Sequence, residues 1–358
     1  MKLWSVIAIN LAVLLALALA GELVFGEWIA ASPLGRLAVP RNVRVTISAA
    51  PLYPGGGEFL YRRDAMGFRG PGIDPARISI LTIGGSTTNQ LYLPDEATWQ
   101  AVLEGSLCQM GHDAVVANAG VDGQSTVGMI ADLELWFPNV PHLEPRLVLA
   151  YVGINDVYIS GPVMAHIVPD KQPGQMQRDS LRFSRVSREV EQRSALVRLW
   201  TVVAGSILAS RAKLRHQRAD FVRAQWTDRP AQPGWQADQL EANLTAYKDR
   251  LVRIAGLIER MGAVPVFVTQ TRADYRLENG RLTGITAAVG PNGVDQGRVL
   301  VRFNAATLEV CRDRHVACLD LATELHFAAG DFYDYEHNTP QGAEKIGHWL
   351  AGKLAGLT

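Results

Sequence analysis

The chain has 358 residues, of which 48% are hydrophobic and 20% charged, a balance typical of a folded globular protein. Its 35 basic and 35 acidic residues cancel, which argues against nucleic acid or another charged polymer as the partner. Three cysteines are too few for a disulfide scaffold and lack the spacing of a metal site. The simplest interpretation is that all three are small buried apolar residues, although Cys311 and Cys318 are close enough in sequence to pair in an oxidising compartment.

The N-terminal segment is apolar, with no charged residue from 3 to 20. A helix of this length rises about 27 Å, close to the ~30 Å hydrocarbon core of a bilayer. A buried soluble helix is one alternative, and the small residues at 18–20 resemble a signal-peptidase site whose cleavage would give a secreted protein. Because the apolar pattern continues to Trp28, we favour an uncleaved membrane anchor over residues 1–28. Lys2 predicts a cytoplasmic N-terminus, which places the rest on the periplasmic or outer side of an inner membrane.

Residues 29–77 are rich in proline and glycine, and we interpret them as a linker leading onto the surface of a domain. From residue 78, short apolar runs alternate with longer helical patterns, which predicts a three-layer α/β domain over residues 78–358. Continuous β-branched runs are typical of parallel strands that are buried on both faces. The predicted strands are 78–83, 114–117, 147–151, 264–268 and 316–319. The predicted helices are 95–110, 125–136, 239–261, 298–313 and one beginning at Thr339-Pro340.

Residues 160–236 interrupt this alternation after the third strand, and they are rich in arginine. We predict a helical stretch over about 186–226, with an apolar part at 196–209 that is too short to cross a bilayer. It either packs its apolar face on the core or forms a lid or membrane-lying helix near the active site.

The first predicted strand ends in Gly84-Gly85-Ser86. Because ligands on an open parallel sheet bind at the carboxyl ends of its strands, this loop is a candidate for chemistry. Two glycines allow a tight turn that brings a serine hydroxyl and its amide to the sheet edge. A plain glycine turn and a phosphate-binding loop are the alternatives, but no Gly-x-Gly-x-x-Gly or Gly-Lys-Ser/Thr motif follows.

The next two strands end in polar, glycine-containing loops. The second loop, 118–125, contains glycines that could simply form a turn. The third contains Asn155, an uncharged amide able to donate a hydrogen bond to a developing oxyanion, although an Asn-Asp pair also suits an ordinary turn.

The last loop before the terminal helix contains a histidine among carboxylates. An imidazole that accepts a serine proton needs an acceptor on its other nitrogen, and Asp334 lies three residues before His337. Asp331 and Glu336 are equally eligible from sequence alone, and a polar loop that caps the helix is the non-catalytic alternative.

These four blocks, in this order, resemble the SGNH hydrolase superfamily, also called GDSL esterases and lipases. The resemblance spans about residues 78–356, interrupted by the insertion 160–236. It implies a flavodoxin-like sheet of five parallel strands ordered 2-1-3-4-5, with chemistry on an acyl ester and no metal or organic cofactor. Gly85 is a departure, because the namesake motif has aspartate there.

The resemblance also implies roles for individual residues. Ser86 would be the nucleophile, His337 the base and Asp334 the carboxylate that orients it. The amides of Ser86 and Gly123 and the side chain of Asn155 would form the oxyanion hole.

We therefore expect a serine ester hydrolase, acting on small acyl groups such as O-acetyl esters of envelope or exported carbohydrates. An O-acyltransferase that passes the same acyl group to a glycan hydroxyl is an alternative, because the difference lies in whether the pocket favours water or sugar. A noncatalytic envelope protein for binding or assembly is a rival of another class, and a lipase is a further possibility. Protein partners and oligomeric state cannot be inferred from the sequence.

Overall fold

The computed structural model describes residues 2–26, 28, 39–159, 193–197, 200 and 216–356. The chain divides into two compact units, here called the terminal unit and the sheet unit. The terminal unit comprises residues 1–38 and 170–215, and the sheet unit comprises residues 39–169 and 216–358.

The terminal unit contains helix α1, Lys2–Phe25. Its apolar part, Trp4–Phe25, has 22 residues and a mean hydropathy of 2.3, so by length and composition it is able to cross a membrane. A signal sequence has the same properties. Near its end, the Glu22 carboxylate accepts hydrogen bonds from the Ser194 hydroxyl at 2.5 Å and the Leu196 amide at 3.0 Å. The acidic residue of α1 therefore satisfies backbone and hydroxyl donors within its own unit.

The described residues of the sheet unit form ten strands. They are β1 Val43–Ser48, β2 Glu58–Arg63, β3 Ile80–Gly84, β4 Val116–Asn118, β5 Leu147–Tyr151, β6 Trp226–Thr227, β7 Val264–Val268, β8 Tyr275–Glu278, β9 Arg281–Ile285 and β10 Ala317–Leu319.

Five of these strands form a parallel sheet in the order β10-β7-β5-β3-β4. Numbered by the predicted strands, this order is 5-4-3-1-2, which confirms the expected flavodoxin-like arrangement. Every residue of the central strands β3 and β5 is buried, as their continuous apolar sequences predict.

Helices cover both faces of this sheet. After α1, the described helices are α2 Ser86–Asn89, α3 Trp99–Gln109, α4 Thr126–Ala131, α5 Leu240–Arg260, α6 Gly293–Arg314, α7 Leu321–Glu324 and α8 Pro340–Leu354. Alternate strand residues such as Ile80 and Leu149 pack with α3 and α8 in one core. Because successive side chains of a strand point to opposite faces, the remaining buried residues face the layer of α4, α5 and α6. The three-layer α/β prediction is confirmed.

Helix ends follow local capping signals. Thr339 caps α8 by accepting a hydrogen bond from the Gly342 amide, with Pro340 in the first helical position, as the sequence predicts. Helix α6 begins five residues earlier than predicted, because Asn292 and Asp295 form a reciprocal capping box.

Antiparallel strands were missed. Strand β9 pairs with both β8 and β6 in a three-stranded sheet, and Asn279 and Gly280 connect β8 to β9 with φ of 50° and 75°. An Asn-Gly pair between alternating sequences is a hairpin signal that the sequence does carry.

The segment 29–77 is more than a linker. Strands β1 and β2 form an antiparallel hairpin within it, and residues 39–77 belong to the sheet unit. In the insertion, residues 160–192, 198–199 and 201–215 lie outside the described residues. The predicted helix over about 186–226 is wrong for residues 216–225, which are not helical and lead into β6.

Two buried arginines tie the hairpin segment to the loops after β3 and β4. Arg63 donates to the side chain of Asn89 at 3.1 Å and to the carbonyl of Gly120. Arg69 donates to the carbonyls of Asn89 and Leu93. Because a buried guanidinium is costly unless its donors are satisfied, these contacts fix where the two loops lie.

The interpretation of all three cysteines as unpaired buried residues is wrong. Cys311 of α6 and Cys318 of β10 form a disulfide, and Cys108 is free and exposed at the end of α3. The pairing joins a helix to the edge strand that follows it. Structural disulfides are typical of oxidising compartments.

Alkylation with iodoacetamide under native, non-reducing conditions should therefore modify Cys108 and neither of the other cysteines. After unfolding and reduction, all three should be modified, as counted by mass spectrometry. The Cys108→Ser variant serves as the control and should take up no label before reduction. Labelling of Cys311 or Cys318 in the unreduced wild-type protein would contradict the pairing.

Candidate active site

A tight glycine turn leads from β3 into the short helix α2, with Gly85 at the N-cap and Ser86 as the first helical residue. A Cβ on Gly84 would lie 2.1 Å from the Thr88 hydroxyl, and one on Gly85 would lie 2.2 Å from Asn155 Nδ2. Neither position has room for a side chain. The namesake motif has aspartate at residue 85. In this chain the Asn155 side chain occupies the space that a side chain at residue 85 would need.

Ser86 meets the C-terminal loop at this turn. Its Oγ lies 2.7 Å from His337 Nε2, and His337 Nδ1 lies 2.9 Å from each carboxylate oxygen of Asp334. An ionised carboxylate only accepts hydrogen bonds, so Nδ1 carries the imidazole proton. The Nε2 of a neutral His337 is then the acceptor for the Ser86 hydroxyl.

The position of Asp334 follows from a local turn. Its Oδ1 accepts from the amides of Glu336 at 2.9 Å and His337 at 2.7 Å, the pattern of an Asx-turn. This turn carries the carboxylate round to the imidazole three residues later.

The other two eligible carboxylates are engaged elsewhere. Asp331 accepts from Lys345 Nζ at 2.6 Å, and Glu336 pairs with the buried Arg272. Of these three carboxylates, only Asp334 has a described hydrogen bond to the His337 ring, so the structure separates three residues that the loop sequence left equal.

Burial and hydrogen bonding act in opposite directions on both members of the pair. Burial would raise the pKa of Asp334, but hydrogen bonds from His216 and His337 outweigh it and hold the pKa below its usual range. Burial would lower the pKa of His337, but the hydrogen bond and charge of Asp334 raise it above its ordinary value. The carboxylate is therefore ionised at neutral pH and supports a positive charge on the imidazole.

Several hydrogen-bond donors near the turn have unused bonding capacity. No acceptor among the described residues engages the amides of Ser86 and Gly123, and Gly123 has a φ of +73°. The amide of Gly120 instead donates to the side chain of Asn118 at 2.9 Å. Asn155 Nδ2 donates to the Gln124 carbonyl at 2.8 Å, which leaves its second hydrogen for another acceptor.

Buried carboxyl groups accept hydrogen bonds from residues next to these donors. Asp156, next to Asn155, accepts from the Thr126 amide and from Arg250.

A second buried carboxyl group, Asp132, contacts the glutamine whose carbonyl binds Asn155. Gln124 Nε2 donates to Asp132 Oδ2 at 2.5 Å, and burial raises the pKa of Asp132 to about 8. Burial therefore favours the neutral form of Asp132, which costs less to remove from water than the carboxylate.

Sequence reasoning missed His216, which lies in the insertion. Its Nδ1 is 3.0 Å from Asp334 Oδ2, and the two residues are 118 positions apart. No motif links them, so the sequence carried no signal for this contact.

His216, Asp334 and His337 also bring three ligand atoms within 4.8 Å of one another, close enough to bind a metal ion. Both histidines already direct Nδ1 at the carboxylate, so hydrogen bonding accounts for the cluster.

The sequence was compared with protein families and with curated proteins. Residues 82–345 match the model of the GDSL-like Lipase/Acylhydrolase family. None of the curated proteins matches this chain.

Solved structures with similarity include a carbohydrate acetylesterase from Sinorhizobium meliloti, at 11% identity and a TM-score of 0.41, covering 78% of this chain and 100% of that one. TesA shows 14% identity and a TM-score of 0.41, with 77% and 98% covered. The aryl esterase of M. smegmatis shows 13% identity and a TM-score of 0.39, with 78% and 99% covered. Because the family model matches well over half of its length, the chain belongs to the GDSL-like lipase and acylhydrolase family and is a serine esterase of that type.

Proposed function

We propose that this esterase cleaves acyl esters through a triad of Ser86, His337 and Asp334. The observation that carries the proposal is the continuous hydrogen-bonded path from the Ser86 hydroxyl through His337 to the Asp334 carboxylate. A serine hydroxyl is a weak nucleophile until a base accepts its proton, and this path supplies one.

In the first step, Ser86 Oγ attacks the ester carbonyl carbon while its proton moves to His337 Nε2. The carbonyl oxygen becomes an oxyanion, which accepts hydrogen bonds from the Ser86 and Gly123 amides and from Asn155 Nδ2. Collapse of this intermediate breaks the ester bond, and the departing alkoxide takes the proton from His337. Water then repeats the sequence on the acyl-serine and releases the carboxylic acid, restoring the hydroxyl of Ser86.

The proposed substrates are O-acetyl esters of envelope or exported carbohydrates. We assign helix α1 as a membrane anchor that holds the sheet unit on the periplasmic or outer side of the inner membrane. The apolar length of α1 supports this location, and so does the Cys311–Cys318 disulfide, because such bonds persist in oxidising compartments. Carbohydrate esters outside the inner membrane would be within reach of a sheet unit anchored there.

Acetylated glycans should lose acetate to water when incubated with the full-length protein in detergent. Free acetate and glycan-bound acetyl groups are measured together by NMR, with and without an unacetylated acceptor sugar. Acetyl groups recovered on the acceptor would identify an acyltransferase instead. Turnover of p-nitrophenyl acetate without any change in the glycans would keep the esterase and reject the substrate class.

A fluorophosphonate probe should label the wild-type protein on Ser86, because it reacts with serines that a neighbouring base activates. Ser86→Ala should abolish the label. His337→Ala should lower both labelling and kcat for p-nitrophenyl acetate by about 10³-fold or more, with the fold intact by circular dichroism. Labelling that persists in Ser86→Ala would overturn the nucleophile assignment.

Gly85→Ala should lower kcat by about 10²-fold, the typical effect of losing one oxyanion donor, because the new methyl group displaces Asn155. Gly105→Ala is the matched control, since a Cβ there meets nothing within 4 Å on the exposed side of α3. That variant should keep full activity. Wild-type kcat in Gly85→Ala would show that Asn155 does not contribute from its present position.

A further inference from the structure

His216 is enclosed beside the triad by aromatic rings. Its ring centroid lies 4.3 Å from that of His337 at an interplanar angle of 71°, and 5.0 Å from that of Tyr92. Tyr333 lies edge-on at 5.9 Å, and its hydroxyl is 3.4 Å from Nδ1. About 24% of the His216 side chain remains exposed. The imidazole lies among these rings with its Nδ1 facing Asp334.

The contact with Asp334 determines which ring nitrogen of His216 carries a hydrogen. Asp334 Oδ2 is an acceptor only, so His216 Nδ1 must carry a hydrogen and donate it across 3.0 Å. Both histidines that flank this carboxylate are therefore donors, although only His337 reaches Ser86.

The two oxygens of Asp334 are held from different directions. Oδ1 accepts from the backbone amides of Glu336 and His337, and Oδ2 accepts from His216. With both oxygens fixed, the carboxylate cannot rotate about its Cβ–Cγ bond. His337 Nδ1 lies 2.9 Å from each oxygen, a symmetric contact that depends on this fixed plane.

We propose that His216 is a positioning residue that fixes the plane of the Asp334 carboxylate and, through it, the ring of His337. It does not reach Ser86 through any described hydrogen bond, and so it acts on the reaction through its hydrogen bond to Asp334 and its ring contact with His337. The proposal rests on the triad proposed above and adds to it a residue supplied by the insertion after β5.

Three variants separate the hydrogen bond from the packing. His216→Leu keeps apolar bulk without a donor, and His216→Ala removes both. His216→Asn retains a donor, because Asn Nδ2 and His Nδ1 are the same number of bonds from Cα. We expect Leu and Ala to lower kcat for p-nitrophenyl acetate by about 10- to 100-fold with KM unchanged, since small errors in position slow the chemical step. Asn should restore kcat to within about threefold of wild type.

The second measurement does not depend on activity. Proton NMR of 15N-labelled Ser86→Ala protein detects the Nδ1 proton of His337, assigned by its disappearance in a His337→Ala background. Adding His216→Leu should broaden or remove this signal through faster exchange with water, and adding His216→Asn should retain it. If Leu disturbs folding, the comparison of Ala with Asn gives the same test.

The outcomes separate the two proposals. Wild-type kcat and an unchanged Nδ1 signal in both His216→Leu and His216→Ala would overturn the positioning role while leaving the triad in place. An inactive, unlabelled wild-type protein would reject the triad, whereas the NMR comparison would still decide whether His216 fixes Asp334.

Discussion

No side chain fits at residues 84 and 85, and the active-site arrangement depends on this constraint. The backbone there passes so close to Thr88 and Asn155 that a Cβ would overlap them. The turn therefore brings Ser86 to the sheet edge, and the same close approach places the Asn155 amide beside the turn. Because β3 and β5 are adjacent parallel strands, their carboxyl ends deliver the two blocks to one point. The glycine that departs from the namesake motif is part of this close approach.

Two carboxyl groups near the turn, one buried and one partly buried, show how their surroundings decide charge. Asp334 receives hydrogen bonds from two amides and two imidazoles, and its pKa falls below the usual range. Asp132 receives one from Gln124, and burial raises its pKa to about 8. The first carboxyl is thus an anion that can support an imidazolium, whereas burial favours the neutral form of the second. Hydrogen bonds and the charge of His337 favour ionisation of Asp334, and the more complete burial of Asp132 outweighs its single hydrogen bond.

The segments outside the parallel sheet also shape the site. Arg63 and Arg69, from the hairpin segment before β3, bind the carbonyls of the loops that follow β3 and β4. His216, from the insertion, contacts the triad carboxylate. The site formed by the four short blocks thus depends on contacts from residues that lie in no motif.

The sequence by itself determined the parallel sheet and the loops that meet at its edge, whereas the strand order was implied by the resemblance to a known family. It did so because buried strands need continuous apolar runs, and because glycines, a capping threonine and a proline act locally. It also proposed Ser86, Asn155 and His337 from the chemistry of their loops. Only the tertiary structure decided which of the three carboxylates in the last loop contacts His337, because they differ in long-range partners such as Lys345 and Arg272.

The same distinction explains what the sequence could not reveal. The approach of His216 to Asp334 joins residues 118 positions apart, and the disulfide of Cys311 with Cys318 depends on how a helix lies on its neighbouring strand. The first contact leaves no motif-like trace, and the sequence only left the cysteine pairing open, because each contact is created when separate elements pack together. The serine was visible in the sequence, whereas the surroundings that would activate it were set by the fold.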